Sequence, residues 1–241
     1  MADTRARPTV RPQKLAVGVL ARGPRPGVVK GRLVPPLSAE QAVELYKALL
    51  SDTLYGLGIL PMGYRAVLCA PEPDGGAEQL SSIVSSRWQV VPQSASRLEE
   101  RLASGFEVLL ASGAEAAAIV CSDAPFMPLD EVFEGLMWLT RKRRLMLGPT
   151  QDGGLYVVGT TQVEPALFEG VDWSSPGVVE RARTRAEGLG IEVQVLSTSY
   201  DVDEVADLER LGRDVKAAVG PGMGTPACTA LLARPEFGAF R

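Results

Sequence analysis

The chain contains no histidine. That absence excludes Ser-His-Asp triads and histidine general bases, and it removes imidazole as a metal ligand. Cysteine is scarce: Cys69, Cys121 and Cys228 are far apart and form no C-x-x-C pair. A disulfide framework and a thiolate zinc site are therefore not expected, and the default for these thiols is burial as free side chains. Any metal would be held by oxygen, which favours Mg2+ or Mn2+. No apolar run approaches the ~20 residues of a membrane-spanning helix. Met1 to Gln13 carries three arginines and two prolines without an apolar stretch, so it reads as a flexible tail rather than a signal peptide or anchor. A net charge of -4 argues against general affinity for a nucleic-acid polymer or an anionic membrane. The expectation is a cytoplasmic protein, its oligomeric state unreadable.

What is present begins with an apolar run, Leu15 to Leu20, that reads as a buried strand. It empties into a loop in which Gly23, Gly27 and Gly31 interleave with Arg22, Arg25, Lys30 and Arg32. Glycines let a backbone approach a ligand closely. Four cations on one loop repel one another unless water or an anion screens them. Such a loop is either a solvated charged surface or a phosphate cradle, with Lys30 and Arg32 neutralising the charge and Arg22, Gly23 and Gly27 lining it.

The rest alternates strands with helices. Ser38 and Gln41 form a capping-box pattern ahead of helical apolar spacing from Ala42 to Leu57. Strands are predicted at Arg65–Ala70, Trp88–Val91, Ala116–Cys121, from Leu145, at Leu155–Gly159 and at Ile191–Leu196. Helices are predicted at Arg97–Leu110, Leu129–Leu139, from Ser175-Pro176 to Glu187, and at Glu204–Leu211 capped by Asp203. This order implies an α/β domain over 14–217, a mostly parallel sheet sandwiched by helices, then an irregular tail over 218–241. Ligands of such sheets bind beyond the carboxyl ends of the strands. The cationic loop, Asp123 and Asp152 all follow strands, so they are expected at one edge.

Asp123 follows a central strand and could ligate a divalent ion bridging phosphate oxygens, or could cap the next helix. Asp152-Gly153-Gly154 is either a hairpin turn or a catalytic acid with a substrate-binding backbone. Asp201 could share a metal with Asp123. Ser122 adjoins that ligand, Gln93 could read a nucleobase, and Trp173 and Ser174 are either core and turn residues or acceptor contacts.

Together these stretches resemble one family, the bacterial transferases called transferase 1, radical-SAM/selenodomain-associated. These are relatives of the glycosyltransferase A fold and of the 2-phospholactate guanylyltransferases. The family pattern F-A-K-x-P-x-P-G-x-V-K-T-R-L stands here as Leu20 to Leu33, with Gly31 in place of threonine. G-S-D-x-P stands as Cys121 to Pro125, and G-P-x-x-D-G-G-Y-Y-L-x-G as Gly148 to Gly159 with Leu155 for the first tyrosine. L-F-x-x-x-x-W-S-T runs from Leu167 to Ser175, and Y-D-V-D-x-x-x-D-L is intact from Tyr200 to Leu208. Gln93 to Leu102 keeps Gln93, Leu98 and Arg101 of Q-x-x-G-D-L-G-x-R-M but loses its acidic residue and glycines.

The resemblance implies a nucleotide-diphospho-sugar transferase (GT-A-like) fold. It also implies a metal-dependent nucleotidyltransferase that moves a nucleoside monophosphate from a triphosphate to a small oxyanion-bearing acceptor. A glycosyltransferase using a nucleotide-sugar, with Asp152 as base, and a non-catalytic nucleotide-binding protein are the alternatives.

Overall fold

The computed structural model describes residues 14–140, 143–217 and 224–240; the expected tail before Lys14 lies outside them. Seven strands form one sheet: β1 (Leu15–Ala21), β2 (Tyr64–Cys69), β3 (Gln89–Pro92), β4 (Ala116–Cys121), β5 (Arg144–Pro149), β6 (Leu155–Thr160) and β7 (Glu192–Val195). Their order is β3-β2-β1-β4-β6-β5-β7. All neighbours pair parallel except β6, which runs antiparallel to both β4 and β5. β5 and β6 are joined by a tight turn at the same edge where β1 and β4 end, which is why a reversed strand sits inside the sheet.

The helices are α1 (Ala39–Ile59), α2 (Ala77–Ile83), α3 (Leu98–Ala111), α4 (Leu129–Leu139), α5 (Pro165–Phe168), α6 (Val178–Gly188), α7 (Val205–Ala217) and α8 (Pro226–Leu232). Strand residues are apolar on both faces, so both faces must be covered. On one face Val17, Val19 and Val120 pack with Leu50, Leu54 and Leu57 of α1 and with Val132 and Leu136 of α4. On the other, Ala16, Ile119 and Leu147 pack with Leu102, Phe106 and Leu109 of α3 and with Val178 and Ala182 of α6.

Local signals place several ends. The Ser38 hydroxyl accepts from the Gln41 N–H, and the Gln41 side chain accepts from the Ser38 N–H. Other expectations are corrected. α6 starts after Gly177 in the left-handed region, with no side-chain cap, so Ser175 is not its N-cap. Asp203 does not cap α7; Asp207, inside the helix, accepts from the N–H groups of Asp203 and Glu204. α2 follows a glycine N-cap that offers no side-chain signal.

The stretch expected to be irregular contains α8 and a 3-10 turn, Pro235–Phe240. It closes a third core, in which Leu45 and Leu49 of α1 meet Leu208 and Leu211 of α7 and Leu231 and Phe237. Buried Asp52 of α1 caps α8: its two oxygens accept from the N–H groups of Ala227 and Cys228, both at 2.8 Å. Burial raises the Asp52 carboxyl, and those hydrogen bonds pull it back. Asp52→Ala orphans two N–H groups and should cost about 2 kcal/mol in a urea melt. A loss under 0.5 kcal/mol would show that α8 needs no cap.

Candidate active site

The sheet order reverses between β1 and β4: successive strands lie outward from β1 on one side, and β4 starts the other. Loops leaving a sheet at such a point part and leave a crevice at the carboxyl edge. A cleft of about 520 Å3 lies there, lined among others by Arg22, Gly27, Lys30, Arg32, Tyr46, Arg101, Ser122, Asp123 and Asp203.

Lys30 is its central charge. Its backbone is left-handed, φ 51°, uncommon outside glycine and typical of constrained sites. Its Nζ lies 2.5 Å from Asp123 Oδ2 and 2.7 Å from Asp203 Oδ1, and the side chain is only 4% exposed. Burial alone would lower the Lys30 pKa, but the two carboxylates more than reverse this, and the ammonium is raised above its ordinary value. Burial pushes the Asp123 carboxyl up, Lys30 pulls it down further, and the net is a lowered value. Asp201 has no such cation among the described residues. Burial, and then the charges of Asp123, Asp152 and Asp203, push it up to about 7.

Each of the four loop cations meets an acceptor of the protein, although Arg22 and Arg32 stay largely exposed. Arg25 donates to the carbonyls of Pro73 and Gly75. Arg32 pairs with Glu204, and Arg22 lies 3.6 Å from Asp74. Gly23 is required by close approach: a Cβ there would lie 2.1 Å from the Gly75 carbonyl oxygen. Tyr46, from α1, was missed by motif reading. Its hydroxyl accepts from the Arg22 N–H at 2.9 Å and donates to the Arg22 carbonyl at 3.3 Å, pinning the root of the loop. Helical spacing marked Tyr46 as buried but not its partner.

Several candidates fall elsewhere. Gln93 does not present its amide to the cleft; the side chain is spent on Arg101. Arg101 is the second residue missed as a site candidate, and its retention with Gln93 in the degraded motif was the available signal. Asp152 Oδ1 accepts from the Thr150 hydroxyl and the Gly154 N–H, so that oxygen serves the turn. Gly153 takes φ 90° in that turn, and its carbonyl accepts from the Gly177 N–H. Asp152, Gly153 and Gly154 thus build the β5–β6 hairpin and are not among the cleft lining. Trp173 is core: it is buried, its indole N–H donates to the Phe168 carbonyl, and its ring meets that of Phe168. The Ser174 hydroxyl donates to Asp172, outside the cleft.

Comparison with known proteins bears on the fold that carries this cleft. The family described as "Uncharacterized protein conserved in bacteria (DUF2064)" matches residues 60–175. Phosphoenolpyruvate guanylyltransferase of Sphaerobacter thermophilus is 27% identical over 192 residues, 78% of this chain and 88% of that protein. A protein of Desulfovibrio desulfuricans G20 assigned as a nucleotide-diphospho-sugar transferase superimposes with a TM-score of 0.82 at 24% identity, covering 94% of this chain and 98% of the other. A manganese complex of Rv0371c from Mycobacterium tuberculosis H37Rv gives a TM-score of 0.51 at 16% identity, covering 82% and 97%. The fold is that of the nucleotide-diphospho-sugar transferases, GT-A-like, with a mostly parallel sheet flanked by helices.

Among the described residues no three carboxylates or thiols converge closely enough to cage a metal alone. Mg2+ does not require that: it uses one or two carboxylates and completes its shell with water and substrate phosphates. Asp123 and Asp201 carry hard oxygen donors, and Asp201, raised first by burial, also feels the negative charges of Asp123, Asp152 and Asp203. The donor chemistry therefore fits Mg2+ or Mn2+.

Proposed function

We propose that this protein is a metal-dependent nucleotidyltransferase, as the resemblance to the radical-SAM/selenodomain-associated transferases implies. The observation that carries the reading is the meeting of Lys30 and Asp123 at the switch point, in a cleft also lined by Arg22, Arg32 and Arg101. A nucleoside triphosphate lies across the β1 loop. An acceptor oxyanion attacks its α-phosphorus in line, a new P–O bond forms, and the bond from the α-phosphorus to the bridging oxygen breaks to release pyrophosphate. A divalent ion at Asp123 and Asp201 would supply charge neutralisation at the phosphates. The chain's own part is positioning and electrostatics: Lys30, held by Asp123 and Asp203, adds positive charge behind the phosphates, Arg32 meets phosphate oxygens, Tyr46 holds the loop root, and Ser122 borders the floor. Such a transfer needs no strong base, so a chain without histidine can perform it.

The name of the Sphaerobacter relative, a phosphoenolpyruvate guanylyltransferase, makes guanosine triphosphate and phosphoenolpyruvate the first pair to test. Glycosyl transfer, the second reading, keeps Asp152 as its suggested base: one of its oxygens serves the hairpin, while its charge is felt at Asp201. Thermal stabilisation with each nucleoside triphosphate and common nucleotide-sugar, with and without Mg2+, separates the readings. A triphosphate at a hundred times its dissociation constant should add about 2.7 kcal/mol, and only with metal. Selectivity for nucleotide-sugars would replace this reading with glycosyl transfer. Metal-dependent binding with no pyrophosphate release across acceptors would favour a non-catalytic nucleotide-binding protein.

A further inference from the structure

Three of the four cations lining the cleft answer to a carboxylate: Lys30 to Asp123 and Asp203, Arg32 to Glu204, and Arg22 to Asp74. Arg101, from the first turn of α3, forms no ion pair with a carboxylate among the described residues, although the charge of Asp74 reaches it. Its Nε donates to Gln93 Oε1 at 2.9 Å, and Gln93 Nε2 donates back to the Arg101 carbonyl at 2.7 Å. This two-point clamp uses one of the five guanidinium donors and fixes the direction of the fork. The four donors on the two terminal nitrogens have no acceptor among the described residues, and the side chain borders the open cleft. Burial, and then the like charge of Arg22, lower the Arg101 pKa, while the charge of Asp74, the partner of Arg22, acts in the opposite sense. A half-buried fork with free donors, aimed beside a second guanidinium, is arranged for an anion with several acceptor oxygens.

We propose that Arg101 and Arg22 form the oxyanion-binding subsite of the cleft, taking phosphate oxygens of the substrate, with Gln93 as the residue that positions Arg101. The proposal rests on the nucleotidyl-transfer reading and says where the anion is gripped while Lys30 is engaged by Asp123 and Asp203. The same chemistry has two sources, the pyrophosphate end of the donor or the phosphate of the acceptor.

The test is isothermal titration of the full chain with inorganic pyrophosphate and with guanosine triphosphate, in the presence of Mg2+. It is paired with KM measurements for guanosine triphosphate and for phosphoenolpyruvate. Wild type is compared with Arg101→Gln, Arg101→Lys and Gln93→Leu, each checked for an unchanged melting temperature. Arg101→Gln should weaken pyrophosphate binding about 10- to 100-fold. Arg101→Lys should recover only part, because a point charge cannot reproduce the fork. Gln93→Leu should raise KM by a smaller factor while kcat holds, and Gln93→Leu in the Arg101→Gln background should add nothing. If the anion belongs to the acceptor, the same loss appears in the KM for phosphoenolpyruvate, with pyrophosphate binding intact. Unchanged pyrophosphate binding together with unchanged KM for both substrates would overturn the subsite. Failure of the wild-type chain to bind either pyrophosphate or guanosine triphosphate would instead overturn the nucleotide reading, and the subsite with it.

Discussion

Asp123→Asn should lower the rate of pyrophosphate release by about a thousandfold and leave the fold intact. The amide is isosteric and can still accept from Lys30, which also keeps Asp203 at 2.7 Å. Only the negative charge is lost, and with it the anionic oxygen that a divalent ion would need. The cost to stability should be about 1–3 kcal/mol, below the 3–5 typical of a buried pair cut in half, because the second carboxylate remains. The pH dependence follows from the lowered Asp123 value. A carboxyl held below its unfolded value of 3.8 contributes stability that is fully present above that value. It is lost as the pH falls through the lower folded value. Urea melts from pH 7 to pH 2 should therefore show wild type and variant converging at the acid end. Turnover within tenfold of wild type would remove Asp123 from the mechanism.

Lys30→Met should be the more damaging change for the molecule as a whole. It deletes the cation between Asp123 and Asp203 in a region where Asp201 already holds its proton to about pH 7. Stability at pH 8 should fall by about 3–5 kcal/mol, the penalty for leaving buried carboxylates unpaired. Because the Lys30 value is raised, its contribution in wild type is fully present below its unfolded value of 10.5. That contribution is lost only as the pH rises through the folded value. Across pH 5–8 the wild-type contribution of Lys30 is thus constant, and any change in the gap comes from the variant's carboxylates. These should take up protons as the pH falls, so the gap should narrow from pH 8 to pH 5. Mg2+ should raise the melting temperature of the variant more than that of wild type, since it offers the missing positive charge. A gap that widened on acidification would contradict the assignment of these carboxylates as the seat of the effect.

Much of the fold was legible because its signals are local. The unbroken apolar run Ala116–Cys121 is a central strand, and the Ser38–Gln41 capping box starts α1 where the pattern placed it. α8 was not legible, because its partners, Asp52 and Leu49, are far away along the chain and the sequence just before it is rich in glycine and proline. In the site, residue type and loop position brought Arg22, Gly27, Lys30, Arg32, Ser122 and Asp123 to one cleft. Side-chain direction was not readable. Gln93 ends its strand at the correct edge yet turns to Arg101. Asp203 looked like a cap but faces Lys30 while Asp207 does the capping. Trp173 carries the expected family position yet its indole is enclosed beside Phe168.

α1 serves two neighbourhoods at once. Tyr46 reaches the β1 loop and the Thr53 hydroxyl donates to the Ser122 carbonyl, while Asp52, one residue before Thr53, tethers the end of the chain. The helix thus works as a stiff rod shared between the mouth of the cleft and α8. Loosening α8 therefore acts on that rod and reaches the mouth of the cleft from behind.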